Sequence, residues 1–412
     1  MNIKIKSTEV LEEILKDFFS TPDINEFKKS FLSTSPKKSS QLSESVSKGK
    51  AQLDFGLPTD FNLITQIDLL ITYSADKLPK IKFLELLLFL SHTTGSAGEF
   101  ATAIDLNKKI IKQTKNDSLL KNIAANAYLF LGEIYSRQAQ WEESFASIKK
   151  AYSLFKELND PKGCANSENL LGTIYGDMGN LKKAVAHFES GIAYLDESVD
   201  ISLTGKIEIN LGIINNIQGN YHSALSYLKR ALVNFQKISE PGRIAEIRHN
   251  MGMVFIKQAD YNAALAEFDH ALEIAIKGSF AQTIGITYLS KAYVFTLMRD
   301  FKLSEAYLNK AMEISYKIND RLSIAEVYKV RGIIQRENKN FDTAENFLLT
   351  SLRINKELDN KLNEAETQTE LGILYKLTKK NKQSKQAFSQ AFEYYQKIGA
   401  ANEINKIQEL ST

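Results

Sequence analysis

The chain is poor in the residues that carry most protein chemistry: one cysteine, five histidines, six prolines and one tryptophan in 412 residues. A lone Cys164 cannot close an internal disulfide and cannot build a thiolate metal cluster, which fits a reducing, cytoplasmic setting. Histidines 92, 187, 222, 249 and 270 include no pair four apart with a glutamate between, so the common zinc-protease pattern is missing. No run of about 18 apolar residues exists to span a bilayer. The first twenty residues mix Lys and Glu without an uninterrupted apolar core, unlike a secretory signal. Neither sign of charge dominates: 52 Lys and Arg face 49 Asp and Glu, a net of +3, which gives no reason to expect nucleic acid or a membrane surface. Gly95-Ser96-Ala97-Gly98 lacks the Gly-Lys-Ser/Thr ending of a phosphate loop, and the surface carboxylates have lysines three or four residues away. These absences leave no catalytic residue, no metal site and no cofactor to propose, and the expectation is a protein that is not an enzyme.

What is present is a repeat. Leu131-Gly132, Leu171-Gly172, Leu211-Gly212, Met251-Gly252, Lys291-Ala292, Arg331-Gly332 and Leu371-Gly372 follow one another at a constant step of 40 residues. Twelve residues after each small residue stands another small one (Ala184, Ala224, Ala264), sixteen after it a bulky apolar one (Phe188, Leu228, Phe268), and nineteen after it a third small one (Gly191, Ala231, Ala271). Steps of four and three put the last three on one helix face. Antiparallel helices approach closely only where one offers Gly or Ala and the other drops a large side chain into the gap. A fixed period of this length therefore predicts stacked helix pairs.

The breaks between helices are equally regular. Gly179-Asn180, Gly219-Asn220, Ala259-Asp260, Arg299-Asp300 and Lys339-Asn340 separate the two helices of a pair, and Gly, Asn and Asp tolerate left-handed backbone and cap a following helix. Asp160-Pro161 and Glu240-Pro241 fall at the junctions, where a first helical turn tolerates a missing N–H.

The order Leu-Gly-x-x-Tyr, then Gly-x-Tyr-x-x-Ala, then an aromatic and Ala, resembles the tetratricopeptide repeat. The 40-residue spacing is similar to that of kinesin light chains, spindle-orientation adaptors and Rap-type peptide-responsive regulators. The resemblance implies an all-α, right-handed superhelical solenoid of seven to eight antiparallel helix pairs. Residues 1–32 read as N-terminal helices (Ser7–Phe19 and Thr21–Leu32) and 33–57 as a flexible Ser/Lys-rich linker. Residues 58–118 read as leading helices, the first near Asp60–Tyr73, and a degenerate repeat; 119–400 carry the seven repeats, and 401–412 a capping helix.

In the resembled families the first helix of each unit lines a concave groove. The matching positions here are Asn166 and Asn169; then Lys206, Asn210, Ile213 and Asn216; then His249, Asn250, Met253, Ile256 and Lys257; then Leu289, Tyr293 and Leu297. Asparagine amides carry both donor and acceptor and suit an extended peptide backbone. In those families groove asparagines do hold peptides, and Asn210 and Asn250 occupy matching places. Apolar lining across units three to five marks a binding site, or else packing between neighbouring first helices. Units six and seven instead offer Glu326, Lys329, Arg336, Glu366 and Lys376. The resulting expectation is a scaffold or adaptor that holds a protein or peptide partner. The alternatives are a peptide-responsive regulator that changes conformation, self-association through the array ends, and a groove filled by the N-terminal helices.

Overall fold

The structure, a computed structural model, describes residues 16–33, 63–96, 98–115, 117–196 and 198–411. The expected helix Ser7–Phe19 lies outside them over residues 7–15, as does the expected linker over 34–57. All regular structure among the described residues is helical. The order is α1 (Thr21–Ser33), α2 (Leu63–Lys77), α3 (Lys80–Ser96) and α4 (Phe100–Thr114), a single 3-10 turn, then α5 (Lys121–Arg137), α6 (Trp141–Glu157), α7 (Pro161–Asp177), α8 (Leu181–Ala193), α9 (Ile201–Gln218) and α10 (Tyr221–Lys237). There follow α11 (Pro241–Lys257), α12 (Tyr261–Lys277), α13 (Ala281–Leu297), α14 (Phe301–Lys317), α15 (Arg321–Glu337), α16 (Phe341–Glu357), α17 (Lys361–Leu377), α18 (Asn381–Ile398) and α19 (Ala401–Ser411). Two compact units result, Met1–Leu171 and Gly172–Thr412, and the division falls within α7.

The first unit begins with helices that lack the repeat pattern. Phe19, Ile24 and Phe27 pack with Ile67, Leu70, Leu84 and Leu87, so the apolar side of α1 is spent on the helices that follow it. Tyr73 donates from its hydroxyl to the Asp23 carbonyl at 3.1 Å, and Lys77 pairs with Glu26 at 3.0 Å. Helix α3 is apolar nearly all round, as a helix covered on several sides must be. Its Gly95 has no room for a side chain, since a Cβ there would meet the Phe130 ring at 2.7 Å.

The repeat grammar then appears as geometry. A Cβ on Gly212 would sit 2.8 Å from Leu228, on Gly252 2.4 Å from Phe268, and on Gly372 2.6 Å from Phe388. Each bulky partner is buried, which contributes about 1.5–3 kcal/mol per side chain. The fifth unit accommodates a methyl group here, with buried Ala292 opposite buried Leu308. Where the small residue of the second helix is serine, its hydroxyl donates to the carbonyl of the small residue it faces: Ser144 to Gly132 at 2.7 Å, Ser304 to Ala292 at 2.8 Å, Ser384 to Gly372 at 2.9 Å.

The turns refine the sequence-based expectation. The first residue of each break does take left-handed backbone, at φ 76° for Gly179 and 86° for Gly219, but also at 58° for Ala259 and 64° for both Arg299 and Lys339. Such residues normally avoid this region. The next amide holds them there by bonding back five residues, as Asp260 N–H does to the Phe255 carbonyl at 3.0 Å. The following Asp or Asn caps the next helix in several units: Asp260 accepts from Ala263 N–H at 3.0 Å and Asp300 from Leu303 N–H at 3.0 Å.

Candidate functional site

Within the second unit, the first helices α9, α11, α13, α15 and α17 each bury one face against their own second helix. They turn another face toward a shared interior, where α18 and α19 join them. Side chains from different repeats interact there: Tyr395 with Glu366 and Glu403, and Tyr293 with Glu370 and Lys257.

The proposed groove residues divide into three groups. Ile213 and Leu297 are exposed, at 37% and 36%. Lys206 and Lys257 are exposed as well, while Asn210, Asn216, Asn250, Met253, Leu289 and Tyr293 are half-buried. His249 and Ile256 are buried. Met253, Ile256 and Tyr293 share an apolar cluster with Phe268 and Val294, so part of the apolar lining joins adjacent first helices. The His249 ring sits 3.2 Å from the Thr287 hydroxyl of the next first helix, and burial pushes its pKa down to about 4. The ring is therefore neutral near pH 7. The Asn216 side-chain carbonyl is buried with no hydrogen-bond partner among the described residues. Asn166 and Asn169 belong to the first unit, both half-buried; the Asn166 amide donates to the Lys162 carbonyl at 3.0 Å.

The charged positions of units six and seven pair with one another. Lys329, only 6% exposed, bridges Glu326 of its own helix at 2.6 Å and Glu366 of the next first helix. Burial opposes its charge, yet those two carboxylates hold its pKa well above the ordinary lysine value. Burial would likewise raise the Glu366 carboxyl, but Lys329 and Lys257 bring it down to about 2. Arg336 reaches Glu370 at 2.5 Å, leaving its Nε buried without a partner among the described residues. Burial, with Glu370 adding to it, pushes the Tyr293 phenol up to about 12. Lys376 donates to the Leu410 carbonyl at 2.8 Å.

Sequence reasoning missed the far side of this face. Lys257 pairs with Glu403 of α19 at 2.6 Å, and the Asn402 amide donates to the Tyr221 hydroxyl at 3.0 Å. These contacts span 146 and 181 residues, and no periodic signal could have announced them. An open recess of about 360 Å³ lies elsewhere, between the N-terminal turns of α11 and α13, lined by Arg243, Glu246, Phe280 and Thr283 among others. Among the described residues no helix is long and apolar enough to cross a membrane, and no group of three or more His, Cys, Asp or Glu could hold a metal ion.

Helix pairs of constant period, stacked small side chain on large, define a repeat scaffold. The tetratricopeptide-repeat model matches residues 123–197, 203–277 and 323–397, more than half of the chain, and the chain belongs to that family. No curated protein sequence matches it. Similar solved structures include aspartyl phosphate phosphatase F from Bacillus subtilis, at 14% identity and TM-score 0.57, covering 81% of this chain and 90% of that one. A Rap protein complexed with Competence and Sporulation Factor aligns at 15% identity and TM-score 0.53, covering 79% and 98%. The Rap conjugation gene regulator of plasmid pLS20, in complex with the Phr* peptide, aligns at 15% and 0.54, covering 80% and 98%. At these identities the likeness establishes the fold.

Proposed function

We propose that the chain is a non-catalytic scaffold that holds a peptide, or an extended segment of a protein, on the interior face of its second unit. The observation that carries this reading is the pair of exposed apolar side chains, Ile213 and Leu297, on that face. Asn210 and Asn250 stand one repeat apart on the same stripe, and Ile213 and Leu297 give a ligand's apolar side chains a place to rest. The Phr* peptide bound by one Rap-type neighbour supports a peptide as the ligand class.

Panning a random dodecapeptide display library against the full chain supplies the ligand for a test. Asn210→Ala with Asn250→Ala should weaken the selected peptide at least tenfold while leaving the melting temperature nearly unchanged; unimpaired binding would discard the reading. The contact of α19 with α11 favours a second version, a regulator that changes shape on binding. Small-angle scattering separates the two, because only the regulator alters its radius of gyration when the peptide is added.

A further inference from the structure

We propose that α19 is a latch across the interior face of the second unit, and that Glu403 occupies at Lys257 the place a ligand's carboxylate takes once the latch is released. This rests on the peptide-binding reading above and names the chemistry and regulation of that site.

Three observations carry it. The first is reach. Helix α19 and the end of α18 touch two successive breaks of the array and the helix end that leads to a third: Ile398 lies against Gly179, Asn402 against Gly219 and Tyr221, and Glu403 against Lys257. The approach is close enough that a Cβ on Gly219 would stand 2.4 Å from the Asn402 amide nitrogen and one on Gly179 3.0 Å from Ile398. The second is weak anchorage. Of the residues of α19, Ile407 is the one that is buried and Ile404 and Leu410 are half-buried, so the helix is held by little apolar surface and a set of polar contacts. Elements with so little buried apolar surface open at the low end of a protein's stability range. The third is the nature of the contact. Lys257 closes α11 one residue beyond Ile256; the charge of Glu366 acts on its ammonium, and Glu403 bonds it directly at 2.6 Å. When α19 leaves, that ammonium keeps the field of Glu366 but loses its direct hydrogen-bond partner, and a peptide carboxylate is the group that replaces it.

The latch is tested first without ligand, by hydrogen exchange on the full chain. Asn402→Ala with Glu403→Gln should speed exchange of amides 401–411 at least tenfold while α11 and α17 keep their wild-type rates. Unchanged exchange in 401–411 would overturn the latch and leave the peptide reading standing. The receptor role of Lys257 is tested with a pool of random octapeptides passed over immobilised full chain, beside the same pool with its carboxylates methyl-esterified. Glu403→Gln should retain at least tenfold more of the free-acid pool than wild type, the esterified pool should show no such gain, and Lys257→Met in the Glu403→Gln background should abolish it. Equal gains for both pools, or a gain that survives Lys257→Met, would overturn the assignment.

Discussion

Two stretches of the second unit share one backbone period and differ entirely in what they bury between neighbouring first helices. From α9 to α13 the contacts are apolar or hydroxyl: His249 meets Thr287, and Ser290 meets Met253 at 3.4 Å. From α15 to α17 they are ionic: Lys329 with Glu366, Arg336 with Glu370. His249 and Lys329 occupy the same phase, three residues before Gly252 and Gly332, and both are nearly inaccessible. The repeat therefore fixes the face that a first helix turns to its own second helix. It leaves open the chemistry by which one repeat meets the next, with most of the polar groups there paired.

The same substitution at this shared phase should break the equivalence most sharply. Lys329→Met removes the buried ammonium that half-buried Glu326 and Glu366 share, Glu366 keeping Lys257, and urea unfolding should record a loss of about 1–3 kcal/mol. Replacing all three residues with apolar ones should return most of that loss.

His249→Met exchanges one neutral, well-fitting group for another. It should cost less than about 1.5 kcal/mol at pH 7, since the Thr287 hydroxyl keeps its bond to the Thr283 carbonyl. Its larger effect lies in acid. The folded-state pKa of about 4 is below the ordinary 6.5, so the unfolded chain takes up the proton first as pH falls. The contribution is complete above pH 6.5 and is lost as pH falls toward 4, up to about 3 kcal/mol. Melting curves across that window should flatten in the variant.

The smallest expected effect treats both stretches alike. Ala259→Gly, in the apolar stretch, and Lys339→Gly, in the charged one, each relieve a left-handed residue and should add about 0.5–1 kcal/mol by urea unfolding. A gain in one stretch but not the other would mean that the turns depend on what the helices bury.

How far the sequence could be read follows from the range of each interaction. Gly212 against Leu228 and Gly252 against Phe268 are sixteen residues apart inside one unit, so their pattern repeats and is visible. The lining positions were legible as a stripe, but their directions were not. His249 and Ile256 share that stripe with Ile213 yet are buried against the next repeat, because a helix three to four residues per turn presents both edges of its free face within one phase. Lys329 and Glu366 were legible as charges, and their pairing required knowing that successive first helices lie side by side. Left-handed Arg299 and Lys339 escaped composition altogether, since the geometry is imposed by backbone bonds from the preceding helix.

The return of the last helix to the third and fourth repeats makes the number of repeats part of the fold. Inserting one more 40-residue copy between α12 and α13 would carry Glu403 and Asn402 one rung past Lys257 and Tyr221 and leave both partners stranded. Open-ended arrays lengthen or shorten freely in evolution; a chain whose tail must meet its own middle is held to a count.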